Sequence, residues 1–167
     1  MFRIEVDNLG WIDMRKDNCE DLCLHGYVTV YIGKRKLAYK ATVSATALYL
    51  LKSLTEDHII YKDNQMLPCC GFCLIADDKL ENVVISGCPN GIDWSVLHKG
   101  ETVQLILEDG SETVLSLYEY KQEVFQFVDK IEKFYKFSLP RILPTDEFDR
   151  NGYIAFWNEW HRRRTEK

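Results

Sequence analysis

The sequence lacks the features that mark membrane, secreted and fibrous proteins. None of its apolar runs approaches the roughly 18–20 residues that cross a bilayer. No segment of its 167 residues has the composition of a linker or repeats at a fixed period. The first residues alternate apolar and charged side chains, without the apolar stretch of a signal peptide. We therefore expect one domain over residues 1–167, in the cytoplasm and without membrane contact.

The common catalytic motifs are missing as well. The chain contains no GxSxG, GxGxxG or HExxH segment and no phosphate-binding loop of the Walker type. Its 4 histidines are scattered, and none lies four residues from another, as two metal ligands on one helix face would. These absences favour a non-enzymatic protein over an enzyme.

Apolar periodicity is present and indicates a mixed fold. Alternation predicts strands over residues 2–6, 22–32, 37–43, 71–76, 82–86, 102–107 and 112–117. Helical spacing predicts a helix over 45–54 capped by Ser44, a long helix that starts at a Ser116–Glu119 capping box, and a last helix capped by Thr145. Because the strands come in hairpins rather than alternating with helices, we predict an α+β fold: a mainly antiparallel sheet packed by about three helices.

Acidic residues are concentrated in the second half of the chain. The formal net charge is −5, and residues 61–160 carry 17 acidic against 9 basic side chains. This charge disfavours binding to a phosphate backbone, so we expect no nucleic-acid partner. It suits a basic protein partner, or serves solubility alone. The basic run Arg162–Arg164 fits the solvated end of a helix.

Six cysteines leave three interpretations open. The group Cys69, Cys70, Cys73 and Cys88 contains a CxxC pair, but a strand rather than a helix is predicted after it, which disfavours thioredoxin-like chemistry. A zinc site could use these cysteines, with His98 as an alternative ligand, although a second CxxC is missing. The third interpretation, free thiols packed in a core inside a reducing compartment, is the one that we favour.

The segment after Cys88 is the second candidate site. Asn90 belongs to a Pro-Asn-Gly turn, and Asp93, Trp94 and His98 follow closely, so we take these four as candidate binding residues. An enzymatic interpretation would make Cys88 a nucleophile, His98 its base and Asp93 the orienting group. We expect instead that Trp94 anchors the loop to the core and that Asp93 accepts hydrogen bonds from the turn backbone.

Four segments together resemble those of small bacterial proteins of unassigned function: residues 67–71 (LPCCG), 87–94 (GCPNGIDW), 119–135 and 156–160 (FWNEW). In size and acidity the chain is also similar to immunity proteins of bacterial polymorphic toxin systems, compact cytoplasmic proteins that bind and block a toxin domain. That resemblance implies a protein partner and transfers no functional residue. The sequence therefore predicts an immunity-like binding protein, with a zinc- or thiol-dependent protein centred on residues 69–98 as the alternative.

Overall fold

The computed structural model describes residues 1–13, 16–71 and 73–165 of the chain. The strands within these ranges are β1 (Phe2–Gly10), β2 (His25–Ile32), β3 (Arg35–Thr42), β4 (Leu67–Pro68), β5 (Cys73–Ala76), β6 (Val83–Ser86), β7 (Gly91–Ile92), β8 (Trp94–Lys99), β9 (Thr102–Leu107) and β10 (Glu112–Ser116). The helices are α1 (Val43–Lys52), α2 (Leu117–Phe137) and α3 (Glu147–Thr165). The α+β prediction, with antiparallel hairpins and three helices, is confirmed.

The strands form four small antiparallel sheets rather than one. β1, β2 and β3 make one three-stranded sheet, and β8, β9 and β10 make another. β4 pairs with β7, and β5 pairs with β6. The predicted strand over 71–76 includes Phe72, which lies outside the described residues, and the observed β5 begins at Cys73. The predicted strands do not include β8. Its first residues follow the Pro-Asn-Gly turn, so they resemble the end of a loop rather than the start of a strand.

The start of α1 differs from the prediction. The helix begins at Val43, after an N-cap residue, Thr42, whose side chain makes no capping bond. Ser44 lies inside the helix, and its Oγ accepts a hydrogen bond at 3.2 Å from the backbone N–H of Leu24. The Ser44 hydroxyl, predicted to cap α1, therefore hydrogen-bonds α1 to Leu24, the residue just before β2. This bond satisfies a buried donor, which a core position requires.

The two long helices begin at well-defined caps. At α2 the Ser116 side chain accepts from the Glu119 N–H while the Glu119 carboxylate accepts from the Ser116 N–H, so the predicted capping box is confirmed. At α3 the predicted cap, Thr145, is wrong by one residue. Oδ1 of Asp146 accepts from the N–H of Asp149 at 3.1 Å, because an Asp side chain at that position reaches the free donors of the first turn.

Buried side chains from the sheets and all three helices form one hydrophobic cluster. Helix α1 is enclosed nearly all round, and α2 buries the stripe Tyr120, Val124, Phe127, Val128 and Ile131 against it and against β1. Helix α3 lies on β5 and β6. Among the described residues, no helix combines the length and the apolar character needed to span a membrane.

Candidate functional site

A cavity of about 520 Å³ opens between the β1–β2 loop (residues 11–24), the chain after β4 and the α2–α3 connector (residues 138–146). Its wall consists of Ile12, Glu20, Asp21, Leu22, Cys23, His25, Thr42, Cys69, Cys70, Gly71, Leu74, Pro144 and Asp149. We call it the acidic cavity. It draws on separate parts of the chain that only the fold brings together.

The charge of the acidic cavity is of one sign. Glu20, Asp21 and Asp149 place three carboxylates on the wall, and no lysine or arginine occurs among its described lining residues. Ile12 and Leu22 add apolar side chains to the same wall. A carboxylate-lined cavity with apolar walls suits a cationic group on an aliphatic stem, since the charge meets the carboxylates and the stem covers the apolar side chains.

Contacts between the β1–β2 loop and the connector hold together two of the segments that contribute to the cavity. Asp17 accepts a hydrogen bond from the Leu139 N–H at 2.6 Å and forms an ion pair with Arg141. The Arg141 guanidinium also donates to the Asn18 carbonyl at 2.7 Å and lies 3.8 Å from the centre of the Trp11 ring. The bond from the Leu139 N–H, followed by the Arg141 interactions, lowers the pKa of Asp17, so this carboxylate stays charged at neutral pH.

Two titratable groups inside the cavity are held uncharged. Burial lowers the pKa of His25, and nearby Lys40 lowers it further while Asp21 opposes the shift. Burial raises the pKa of the Cys23 thiol to about 12, with a smaller contribution from Asp21. At neutral pH the imidazole of His25 is therefore largely neutral and does not offset the carboxylate charge. Cys23 stays a thiol, so it does not act as a nucleophile.

A cluster of three sulfur atoms adjoins the acidic cavity. Cys69 and Cys88 are joined by a disulfide, and the Cys70 Sγ lies within 4.8 Å of both sulfur atoms. The backbone N–H of Cys88 donates to the Cys70 Sγ at 2.9 Å. The expectation of free thiols is therefore wrong for Cys69 and Cys88. Pairing of β4 with β7, continued by the bond from the Cys69 N–H to the Asn90 carbonyl, holds the two chain segments side by side.

The predicted zinc ligands do not converge as one set. Cys69, Cys70 and Cys88 come together, whereas Cys73 lies in β5 opposite Ser86 and is not part of the group. Two of the three grouped sulfur atoms are bonded to each other, and zinc binds thiolates rather than disulfide sulfur. His98 hydrogen-bonds elsewhere. A metal could use this group only after the bridge is reduced.

The four candidate binding residues after Cys88 lie in different surroundings. Asn90 is exposed, and its carbonyl accepts from the Cys69 N–H at 3.0 Å. Trp94 is completely buried, so the predicted anchoring of the loop is confirmed. Nδ1 of His98 lies 2.9 Å from Oδ1 of Asp57. These side chains do not form one binding cluster.

Asp93 has a partner that the sequence did not indicate. Its Oδ1 lies 2.8 Å from Nε2 of His58 and accepts from the Met66 N–H at 3.1 Å, rather than from the turn backbone. Because Asp93 bonds His58 while His98 bonds Asp57, the Cys88–His98–Asp93 arrangement of the enzymatic interpretation is wrong. The disulfide also removes Cys88 as a nucleophile.

A larger cavity of about 650 Å³ includes Asp93 in its wall, together with basic side chains, Arg35 and Lys36. Arg35 forms an ion pair with Asp109, and the Tyr61 hydroxyl donates to the Glu108 carboxylate at 2.6 Å. Both signs of charge occur on this wall. It therefore lacks the one-sided field of the acidic cavity, and we take the acidic cavity as the candidate site.

The sequence does not predict the acidic cavity, because no single motif contains its residues. The available signals were weak: acidic residues at 17–21 and 146–149, and apolar residues of the connector flanked by two prolines. Comparison of the chain with protein-family models, with curated proteins and with solved structures finds no match.

Proposed function

We propose that this chain is a non-enzymatic binding protein that receives a basic segment of another protein in the acidic cavity. The observation that carries the proposal is the one-sided charge of the wall, with Glu20, Asp21 and Asp149 present and no basic side chain among the described lining residues. A cation entering the cavity is attracted by each carboxylate and meets no like charge among the described lining residues. Such complementarity favours both the rate and the specificity of association.

Exposed apolar side chains that are adjacent in sequence to cavity-lining residues support a protein partner rather than a lone cation. Ile142 is 54% exposed and Leu143 is 48% exposed, and both come just before Pro144 on the wall. Phe148 is 51% exposed and comes just before Asp149. Exposed apolar surface rimmed by charge is typical of protein interfaces. The surface fits a segment that carries both basic and apolar side chains.

The β1–β2 loop and the connector need little conformational ordering when a partner binds. The Asp17–Arg141 ion pair and the bond from the Ile142 N–H to the Cys19 carbonyl at 2.8 Å already hold the connector against the β1–β2 loop. A preformed surface avoids part of the entropy that association costs. This supports recognition by a fixed surface rather than by folding of the loop and the connector on contact.

The similarity to immunity proteins suggests which class of protein the partner belongs to. Carboxylates repel phosphates, which argues against a nucleic acid at this site. A basic toxin domain is the partner that the similarity to immunity proteins suggests. That suggestion is supported by size and acidity alone, whereas the basic character of the partner is supported by the cavity itself.

A peptide titration tests the proposal. The probe is a short labelled peptide that alternates arginine and leucine, followed by fluorescence anisotropy. We expect binding that weakens with added salt, because the charges lie at a solvent-accessible rim. Glu20→Lys should raise the Kd about tenfold, which corresponds to about 1.4 kcal/mol. A peptide of alternating glutamate and leucine should not bind.

Matched controls separate the cavity from general acidity. Asp78→Lys makes the same charge change at an exposed residue of the β5–β6 turn and should leave the Kd within about twofold, a difference of ~0.4 kcal/mol. Ile142→Ser should weaken binding, while Val114→Ser, at an exposed apolar residue of β10, should not. Equal losses for Glu20→Lys and Asp78→Lys, or no binding of the arginine peptide at all, would contradict the proposal.

A further inference from the structure

The three sulfur atoms beside the cavity are placed for chemistry among themselves. Cys69 and Cys88 share a disulfide, and the third sulfur, on Cys70, is a free thiol within 4.8 Å of both. A thiolate next to a disulfide can attack it and displace one sulfur as a new thiolate. We propose that Cys69, Cys70 and Cys88 form a thiol–disulfide exchange site, in which the bridge to Cys88 moves between Cys69 and Cys70.

The step balances within the chain. The Cys70 thiol gives its proton to water, and its sulfur forms a bond to the Cys88 Sγ. The bond between the Cys88 and Cys69 sulfur atoms breaks, and the electron pair leaves on the Cys69 sulfur, which takes up a proton from water. The number of disulfides and thiols is unchanged, so no oxidant or reductant is consumed.

The backbone around Cys88 favours this attack. The Cys88 N–H donates to the Cys70 Sγ at 2.9 Å, and a hydrogen bond from an amide stabilises negative charge on the attacking sulfur. The neighbouring Gly87 leaves the space that Cys70 needs. A Cβ at Gly87 would lie 3.2 Å from the Cys70 Sγ and 2.4 Å from its carbonyl oxygen.

The chain geometry also selects the sulfur that is attacked. Adjacent Cα atoms are about 3.8 Å apart, whereas disulfide-linked Cα atoms are usually about 4.4–6.8 Å apart. A bridge between the neighbours Cys69 and Cys70 is therefore disfavoured. Attack on Cys88 has no such restriction, because Cys70 and Cys88 come from two segments that already lie side by side.

Two other described cysteines, Cys23 and Cys73, provide internal controls. Cys23 shares the cavity wall, but burial raises the pKa of its thiol to about 12, which keeps it protonated and unreactive. Cys73 lies in β5 outside the sulfur group. Cys69 and Cys70 both line the acidic cavity, so the exchange decides which of them presents a free thiol to it. The proposal does not depend on the protein partner proposed above.

Disulfide mapping of the intact chain tests the proposal. The purified protein is held at pH 5 or at pH 8.5, quenched in acid, labelled with N-ethylmaleimide and digested without reduction. Tandem mass spectrometry that breaks the bond between Cys69 and Cys70 then shows which of them carries the label. We expect the label on Cys70 and, after incubation, also on Cys69, with faster redistribution at pH 8.5, because the thiolate is the attacking species.

Three cysteine-to-serine variants test which sulfur atoms can form the bridge to Cys88. Cys69→Ser should form the Cys70–Cys88 bridge in a glutathione redox buffer, Cys70→Ser should keep only Cys69–Cys88, and Cys73→Ser should behave as the wild type. The proposal is overturned if Cys88 of a normally melting Cys69→Ser protein is labelled as a free thiol. If that variant does not fold, a wild-type chain labelled only on Cys70 at both pH values overturns it instead. One equivalent of zinc in protein purified without chelator, with all three cysteines free after its removal, also overturns it in favour of a metal site.

Discussion

Nε of Arg163 donates a hydrogen bond at 2.7 Å to Oε1 of Glu159, and the Glu159 side chain is only 1% exposed. The other carboxylate oxygen of Glu159 accepts from the Val83 N–H at 2.8 Å and lies 3.3 Å from Nζ of Lys52. Hydrogen bonds from Arg163 to Glu56 and Thr55 extend this buried ion network beyond the end of α1. One carboxylate thus joins α3 to β6 and to α1.

Glu159→Gln should destabilise the protein by about 3 kcal/mol, because it removes the buried carboxylate that balances the charges of Arg163 and Lys52. Urea unfolding measured by circular dichroism gives the free energy of unfolding. Glu101→Gln changes an exposed glutamate and should stay within about 0.5 kcal/mol of the wild type. A loss below about 1 kcal/mol for Glu159→Gln would mean that the network adds little to stability.

Gly152→Ala should be more harmful than its size suggests. A Cβ at Gly152 would lie 2.1 Å from the Leu74 carbonyl oxygen and 2.8 Å from the Leu74 Cβ, so α3 would have to move away from β5. We expect a loss of about 1–3 kcal/mol or more, as in other overpacked sites. Asn151→Ala, one residue earlier in α3, should be neutral or slightly stabilising, because alanine favours helix. Similar melting temperatures for the two variants would show that α3 can shift without cost.

Stability should depend on pH through His25. Burial lowers its pKa in the folded state below the unfolded value near 6.5, so the unfolded chain binds the proton more readily. The contribution of His25 to stability is complete above pH 6.5 and is lost as pH falls through 6.5 towards the folded pKa. Urea unfolding at pH 7.5 and at pH 5.5 should show a smaller pH-dependent loss in His25→Gln than in the wild type. His161→Gln, at an exposed position on α3, should keep the wild-type loss.

The sequence alone predicts those features that depend on residues close together in the chain. On α2, the residues Tyr120, Val124, Phe127, Val128 and Ile131 recur at helical spacing in the sequence and are buried in the structure, because this spacing alone decides which face the helix presents to the core. The α2 capping box likewise depends on two residues three positions apart. The predicted caps of α1 and α3 differ from the observed ones, because a hydroxyl or carboxylate has more than one backbone donor within reach. Ser44 bonds the chain before β2, and Asp146 replaces Thr145.

The candidate site depended on contacts that no local pattern contains. Asp93 meets His58 across 35 positions of sequence, which spacing arguments about His98 could not indicate. A hairpin that turns about residues 78–80 places Cys69 or Cys70 opposite Cys88, but the sequence does not decide which of the two faces Cys88 or whether a disulfide forms. The acidic cavity needs the fold of α2 and α3 to bring the connector to the β1–β2 loop. The sequence could predict its charge but not the place where that charge collects.

Trp94 separates a structural role of the 88–98 segment from a binding role. Its ring is completely buried, 6.4 Å from the ring of Phe2, and it is not among the residues that line the acidic cavity. Trp94→Ala should cost about 3–5 kcal/mol, the usual range for deletion of a buried tryptophan. Its Nε1 has no hydrogen-bond partner among the described residues, so Trp94→Phe removes an unpaired buried donor and should cost less.

Unfolding and peptide binding, measured on the same preparations, check both parts of this prediction. The two Trp94 variants should differ in unfolding free energy while the folded fraction of each binds the arginine–leucine peptide with the wild-type Kd. This follows because neither substitution changes the carboxylates of the acidic cavity. A Trp94→Ala protein that melts like the wild type but no longer binds the peptide would move the binding site from the acidic cavity to the 88–98 segment.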